Sequence, residues 1–290
     1  MTSQNFKQRK TQWSFDLSAL AAVVLVATQV LSSNAMAWGI LASSEDPASA
    51  VGGARLAHAV LVKKQIRYCI GNYDPKEYDT VSISIQVEAA LSLWLAAANY
   101  RLSDVPVIKE PCGSDPSELR IIISPNNPNS GQYGASTAVW LIGQSYHPQI
   151  DFDANYQFVS SNGTNAPIFD FKDFVGDLAQ SLGRLNFGIM QAVRYVSFEN
   201  HLGSADVARL VDTAPDVIFH STYSVLIHEM GHAFGLCDTY VGSNHCAPGW
   251  PPPEDQPDSV MKGNGDFFLS PDDIAGIRGL FDHYRRLMQK

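Results

Sequence analysis

Residues 228–238 of the chain read HEMGHAFGLCD. Residues four positions apart share one face of a helix, so His228 and His232 can direct both imidazoles at the same metal ion. Glu229, beside the first histidine, can reach a water molecule on that metal without being a ligand itself. The pattern H-E-x-x-H therefore predicts a helical zinc site with Glu229 as its general base.

The residues after this helix complete the predicted site. Gly235 can end the helix, because glycine tolerates the left-handed backbone conformation that reverses the chain. Asp238 follows three positions later and can return to the metal as the third ligand. His245, seven residues further along, is a rival for that position. Three protein ligands leave a fourth position for water, as a catalytic zinc site requires.

The composition is that of an acidic globular protein. The chain has 290 residues, of which 45% are hydrophobic and 17% are charged, so one large domain or two small ones can bury a core. The formal net charge of −9 argues against nucleic acid and anionic membrane surfaces as partners. We expect a monomer.

The first 37 residues have the pattern of a secretory signal peptide. Basic residues occur within the first ten positions, an apolar run covers residues 17–31, and an A-x-A cleavage site lies at 35–37. The run is short for a membrane span, so we expect cleavage, no stable membrane insertion afterwards, and a secreted, periplasmic or extracellular protein. Residues 38–64, rich in small side chains, would then be a short N-terminal segment, either a pro-segment or a disordered arm.

Export makes disulfides possible, and the chain has four cysteines. Four cysteines allow three pairings. We expect Cys237–Cys246, which would close a short loop just after the third ligand, and Cys69–Cys112. Free buried thiols are the alternative.

Hydrophobic patterns predict both strands and helices in the first half of the chain. Residues 65–70, 119–123, 135–141 and 149–153 are rich in strand-forming side chains. Residues 79–99 carry apolar side chains at helical spacing and predict a long core helix.

Two acidic residues on the last predicted strand offer oxygen ligands. Asp151 and Asp153 can bind Ca²⁺, which prefers carboxylates. The alternative interpretation is a pair of surface carboxylates on one face of a strand.

The second half of the chain is predicted to be mainly helical. Residues 165–215 would form a helical insertion, followed by the zinc helix from Ser221 or Thr222, both good N-caps. The last helix is expected to begin at Ser270, where serine caps the helix, Pro271 occupies the first turn and two acidic residues face the positive end of the helix dipole.

These motifs resemble the metzincin metallopeptidases, most closely their matrixin-like branch in a form with aspartate as third ligand. Besides 228–238, Met261 in Ser-Val-Met resembles the Met-turn of that family. Residues 268–277 are similar to the start of a matrixin's last helix, and 150–153 to the strand before the zinc helix. The resemblance implies an α+β zincin-like domain over 65–290, to which the helical insertion is an addition. Such a domain has a twisted, mostly parallel sheet with an antiparallel edge strand, a zinc helix, a Met-turn and a C-terminal helix.

The resemblance also implies an activity: a secreted zinc-dependent endopeptidase that hydrolyses peptide bonds with a zinc-activated water and Glu229 as general base. One Zn²⁺ would be the cofactor, and a protein or peptide the substrate. The residues that the resemblance assigns to the site are the ligands His228, His232 and Asp238, with Gly235 and Met261 in support.

The same resemblance suggests where a substrate would bind. An extended peptide would pair with the sheet edge at 135–141. The loop at 262–269, which contains Phe267 and Phe268, would shape the specificity pocket. Tyr240 could support the oxyanion, because glycine occupies the position after the Met-turn where some metzincins have tyrosine.

Two other interpretations of the motif remain open. One is a different class of zincin, in which Glu254 supplies a distant third ligand. The other is an exported zinc-binding or adhesive protein of the same fold without proteolytic activity. The intact Glu229 argues against the second, because a purely structural site has no use for a general base.

Overall fold

A computed structural model describes residues 40–71, 73, 80–101, 103–113, 118–130, 134–156, 158–159, 165–166, 168–169, 222–238, 246–247, 259–262 and 269–290. Several sequence predictions fall outside these residues: the signal peptide, Tyr240, His245, Glu254, Phe267, Phe268 and nearly all of the helical insertion. Within the described residues, no helix is long and apolar enough to cross a membrane.

The centre of the fold is a five-stranded sheet. Its strands are β1 (Ile66–Gly71), β2 (Val107–Lys109), β3 (Leu119–Ser124), β4 (Ala135–Ile142) and β5 (Ser145–Asp153). They lie in the order β2-β1-β3-β5-β4, and every neighbouring pair is parallel except the β4–β5 hairpin. The predicted α+β architecture, with a mostly parallel sheet and an antiparallel edge strand, is thereby confirmed.

Four α-helices accompany the sheet in the described residues. They are α1 (Leu56–Lys63), α2 (Thr80–Ala97), α3 (Thr222–Phe234) and α4 (Pro271–Met288). Helix α3, which carries the H-E-x-x-H motif, packs against β4, β5 and α2. Helix α4 begins with the predicted capping box, in which the Ser270 hydroxyl accepts a hydrogen bond from the backbone of the residue at N3.

A second, smaller sheet follows the main one. Strands β6 (Phe158–Val159) and β7 (Asn165–Ala166) pair in antiparallel fashion. The helical insertion was predicted to begin at about residue 165, and Asn165 and Ala166 at that boundary are extended. Because these residues pair with another strand, their backbone hydrogen bonds are used across the sheet and not along a helix.

The N-terminal segment is not a disordered arm, one of the two predictions for it, while the pro-segment stays a prediction. Residues 40–64, expected to be a pro-segment or a disordered arm, are folded: Ile40 is fully buried, and so are Leu56 and Val60 of α1. The small side chains of this segment allow close packing. A Cβ added at Gly52, for example, would overlap the backbone carbonyl of Asp46. The folded domain therefore begins at or before Ile40 and not near residue 65.

Both predicted disulfides are present. Cys69, in strand β1, is bonded to Cys112, and Cys237, which follows the zinc helix, is bonded to Cys246. The second bond joins cysteines nine positions apart in the sequence, and Asp238 is the first residue of the loop that it closes. The described part of the chain contains no free cysteine, so the alternative of buried thiols is wrong.

Candidate metal centre

Three side chains converge at the end of the zinc helix. His228 Nε2 lies 3.1 Å from His232 Nε2, and Asp238 Oδ1 lies 3.3 Å from the His228 nitrogen and 3.2 Å from the His232 nitrogen. Tetrahedral zinc ligands at about 2.0–2.1 Å from the metal are about 3.3 Å apart. The donor set and its spacing therefore fit one zinc ion. Among the described residues, this is the one group of three potential ligands that lies close enough together to hold a metal.

Backbone carbonyls orient both imidazoles. His228 Nδ1–H donates to the Val260 carbonyl at 2.8 Å, and His232 Nδ1–H donates to the Leu236 carbonyl at 2.9 Å. A carbonyl can only accept, so each bond uses a proton on Nδ1 and makes Nε2 the nitrogen that faces the other ligands. Ligating histidines in metal sites are held in the same way by their second nitrogen.

The charges of the cluster are strongly coupled. Burial acts to lower the pKa of His228, but the hydrogen bond with Asp238 and the negative charges of Glu229 and Asp238 outweigh it and raise that pKa to about 9. Burial acts to raise the pKa of Asp238, while the hydrogen bonds with His228 and His232 hold it well below its usual range. The site thus presents an ionised Asp238 carboxylate whose charge raises the proton affinity of the neighbouring His228 imidazole.

Glu229 is a buried carboxylate with an unused oxygen. Its side chain is in the interior, with 6% of the residue exposed, and Oε2 has no hydrogen-bond partner among the described residues. Such an oxygen is costly unless it serves a ligand or a reaction. Glu229 directly follows the candidate ligand His228 on the helix, and its charge is one of the causes that raise the pKa of His228. An acceptor next to a metal site is what a general base for water requires.

Gly235 ends the zinc helix as predicted. Its φ of +123° lies in the region that favours glycine. The backbone N–H groups of Gly235 and Leu236 both donate to the Gly231 carbonyl, at 3.1 and 3.0 Å, which closes the last turn. This turn reverses the chain and brings Asp238 back beside the two histidines.

A turn beneath the helix supports the first ligand. Met261, predicted as the Met-turn residue, is buried, and its side chain packs so closely on Gly231 that a Cβ added there would overlap the Met261 sulfur. The preceding residue, Val260, supplies the carbonyl that orients His228. Met261 therefore packs against the zinc helix at Gly231.

The turn is itself fixed by Asp273 of α4. Asp273 Oδ2 accepts from the backbone N–H groups of Val260 at 3.0 Å and Ser270 at 2.8 Å, and Oδ1 accepts from the Ser259 hydroxyl at 2.7 Å. One carboxylate thus links the cap of the last helix to the turn that holds His228. The sequence predicted that Asp273 faces the positive end of the helix dipole, but it did not predict the bonds from Asp273 to Ser259 and Val260.

Two other elements fix the zinc helix from the side. The Trp94 indole N–H of α2 donates to the Ile227 carbonyl at 2.9 Å, and the Thr137 hydroxyl of β4 donates to the Glu229 carbonyl at 2.9 Å. Thr137 therefore ties the middle of the edge strand to Glu229. Neither contact could be predicted from sequence, because each joins residues about 90 positions apart or more.

Within the described residues, the outer backbone edge of strand β4 pairs with no other strand. It stands last in the strand order, so its outer edge pairs with none of the other four strands of this sheet. Farther along, towards the hairpin tip, Trp140 is 40% exposed and Leu141 is 58% exposed. An open backbone edge beside Glu229 can accept an extended peptide by β-pairing.

The carboxylates considered for calcium have internal roles. Asp151 is buried, not on the surface, and accepts hydrogen bonds from Gln149 Nε2 at 3.0 Å and Asn127 Nδ2 at 3.2 Å. Asp153 Oδ1 accepts from the backbone N–H of Asn126 at 2.8 Å and so holds the turn after β3. Both carboxylates accept hydrogen bonds from neighbouring residues. Among the described residues, neither belongs to a group of three potential metal ligands, so the structure gives the calcium prediction no support.

Comparison with models of known protein families gave no match, and neither did comparison with curated proteins. The metzincin resemblance therefore depends on the motif itself and on the arrangement of its residues. The motif predicts three ligand residues and a base. The structure brings the atoms of the three predicted ligands within 4.8 Å of one another.

Proposed function

We propose that the protein is a secreted zinc-dependent endopeptidase of the matrixin-like metzincin type. One observation carries the proposal: three ligand atoms lie at zinc-ligand spacing, and the residue after the first ligand, Glu229, is a buried carboxylate with an oxygen that has no partner among the described residues. The ligand side chains keep 12–16% of their surface exposed, so they are not fully enclosed. A structural zinc is usually closed off by four protein ligands, whereas a catalytic zinc keeps an open position.

His228, His232 and Asp238 would hold the zinc. When bound, zinc supplies Lewis acidity, which lowers the pKa of a coordinated water and polarises a carbonyl group. Glu229 would take the proton from the attacking water at its carboxylate and return it to the nitrogen of the leaving amine. The carboxylate ends the cycle ionised, as it began.

The edge strand would position the substrate. An extended peptide that pairs with the outer side of β4 would pass Glu229, because Thr137 binds the carbonyl of that residue. Main-chain pairing gives affinity without demanding particular side chains, so it suits an enzyme that cleaves proteins.

The substitution Glu229→Gln tests the proposal. It keeps the size of the side chain but removes the base, so zinc content measured by atomic absorption should be unchanged while peptide cleavage falls at least about a hundredfold. Glu88→Gln is the matched control: Glu88 is a helical glutamate that accepts a hydrogen bond from Tyr68, and its variant should keep full activity.

The outcomes separate the competing functions. Zinc bound without any cleavage by the unmodified chain, across a broad peptide library, would favour the non-enzymatic zinc-binding protein. Cleavage that survives Glu229→Gln would refute the assigned mechanism. A chain that binds no zinc would refute the proposal as a whole.

A further inference from the structure

The N-terminal segment reaches the turn that carries the third ligand. The Leu41 N–H donates to the Gly235 carbonyl at 2.9 Å, and the Ala247 N–H donates to the Ile40 carbonyl at 2.7 Å. Ile40 also bridges to Leu236 in antiparallel fashion. The segment thus lies between the end of the zinc helix and the residue that follows the second cysteine of the disulfide, Ala247.

The disulfide joins the same contacts into one unit. Leu41 bridges to Cys246, and Cys246 is bonded to Cys237, the residue immediately before Asp238. The Cys246 sulfur lies 3.6 Å from the Asp238 carbonyl. Backbone pairing holds Gly235 and Leu236, and the disulfide holds Cys237, so successive residues leading to the ligand are each restrained.

A buried arginine completes the arrangement. Arg55 is 4% exposed, its Nη1 donates to the His232 carbonyl at 2.9 Å, and its Nη2 donates to the Ser43 hydroxyl at 3.0 Å. Burial lowers its pKa to about 10. Among the described residues, no carboxylate lies within 4.0 Å of this guanidinium. Its charge instead faces the carbonyl end of the zinc helix, where a cation is favoured.

We propose that residues 40–55, which we term the N-terminal clamp, position Asp238 and His232 for metal binding. The inference rests on the proposed zinc site. A ligand on a turn must be held in place before the metal arrives, because ordering it on binding costs affinity. The clamp holds that turn from the far end of the sequence: Arg55 and His232 are 177 residues apart.

The substitution Leu41→Pro tests the backbone hydrogen bond of the clamp. Leu41 has φ −55°, close to the value that proline imposes, so Leu41→Pro removes the N–H donor with little change in backbone shape. Leu41→Ala is the control, since it loses the side chain but keeps the N–H. Competition with a chromogenic chelator should show zinc binding weakened about tenfold by Leu41→Pro relative to Leu41→Ala.

Arg55→Met tests the side-chain part of the clamp. It should weaken zinc binding by about 10- to 100-fold, the range found for residues that orient metal ligands. Arg278→Met is the control, because Arg278 donates to the Ala97 carbonyl at 2.8 Å and so makes the corresponding contact at the end of α2. Cobalt in place of zinc adds a second measurement, since its visible absorption bands report the ligand geometry and would change for Arg55→Met but not for Arg278→Met.

The results distinguish this inference from the proposed function. An unmodified chain that binds no zinc refutes the function. Normal zinc binding in which the clamp variants match their controls refutes the clamp. A Leu41→Pro chain that fails to fold with zinc present also refutes it, because the contact would then support the fold as a whole and not the ligands in particular.

Discussion

Replacing Asp273 separates its hydrogen bonds from its charge. In Asp273→Ala, the backbone N–H groups of Val260 and Ser270 lose their acceptor in a buried place. The Ser259 hydroxyl can rotate towards another acceptor, so it adds little to the loss. In Asp273→Asn, the amide oxygen can still accept both N–H groups, and the amide NH₂ can donate to the Ser259 oxygen.

The expected magnitudes follow from this count. Each buried donor left without a partner costs about 1–3 kcal/mol, so Asp273→Ala should lower the free energy of unfolding by about 3 kcal/mol or more. Burial raises the pKa of Asp273, although its hydrogen bonds with Ser259, Val260 and Ser270 oppose this effect, so the neutral amide is not penalised for losing the charge. We expect Asp273→Asn to cost less than about 1 kcal/mol.

Thermal unfolding with intact disulfides measures the difference. At about 2–4 °C per kcal/mol for a domain of this size, the alanine variant should melt about 6–12 °C lower and the asparagine variant within about 4 °C of the unmodified chain. The zinc affinity should follow the same order, because Val260 orients His228. Equal melting points for the two variants would refute the reasoning, since they would show that the acceptor is not what holds the turn.

Three further predictions concern packing, pH and the ligand set. Gly231→Ala should destabilise the fold by about 1–3 kcal/mol in thermal unfolding, despite better helix propensity, because its Cβ would overlap the buried side chain of Met261. Burial raises the pKa of Glu118, but its arginine and lysine partners hold it below the usual 4.5. Its contribution is therefore present above that pH and lost as pH falls through the folded-state pKa, and Glu118→Gln should flatten the acid side of a stability–pH curve. Asp238→Ala should lose zinc by metal analysis while His245→Ala keeps it, and the reverse result would make His245 the third ligand.

The site was predictable because its chemistry lies within eleven residues. Helical spacing aligns His228 with His232, and a single glycine at Gly235 reverses the chain towards Asp238. No distant contact is needed to infer that these side chains can meet. The structure places the three ligand atoms within 4.8 Å of one another.

The supports of the site were not predictable for the opposite reason. Arg55, Trp94 and Thr137 act on the zinc helix from positions far away in sequence, and no local pattern marks any of them. Strand β2 was missed because it has three residues, too few for an alternating pattern to show. The small residues of the N-terminal segment left a disordered arm among the predictions, whereas in the structure they allow the backbone to approach its neighbours closely.

The division between local ligands and distant supports has a consequence for how such a site forms. The two histidines become neighbours as soon as α3 forms, but His228 is oriented through a turn fixed by α4, and Asp238 is restrained through the N-terminal clamp. Both ends of the folded domain must therefore be in place before the ligand set is complete. A partly folded chain would hold two imidazoles without the third ligand in position, and its metal affinity would be correspondingly lower. Zinc binding in this protein should thus report completion of the tertiary fold, and not merely formation of the helix that carries the motif.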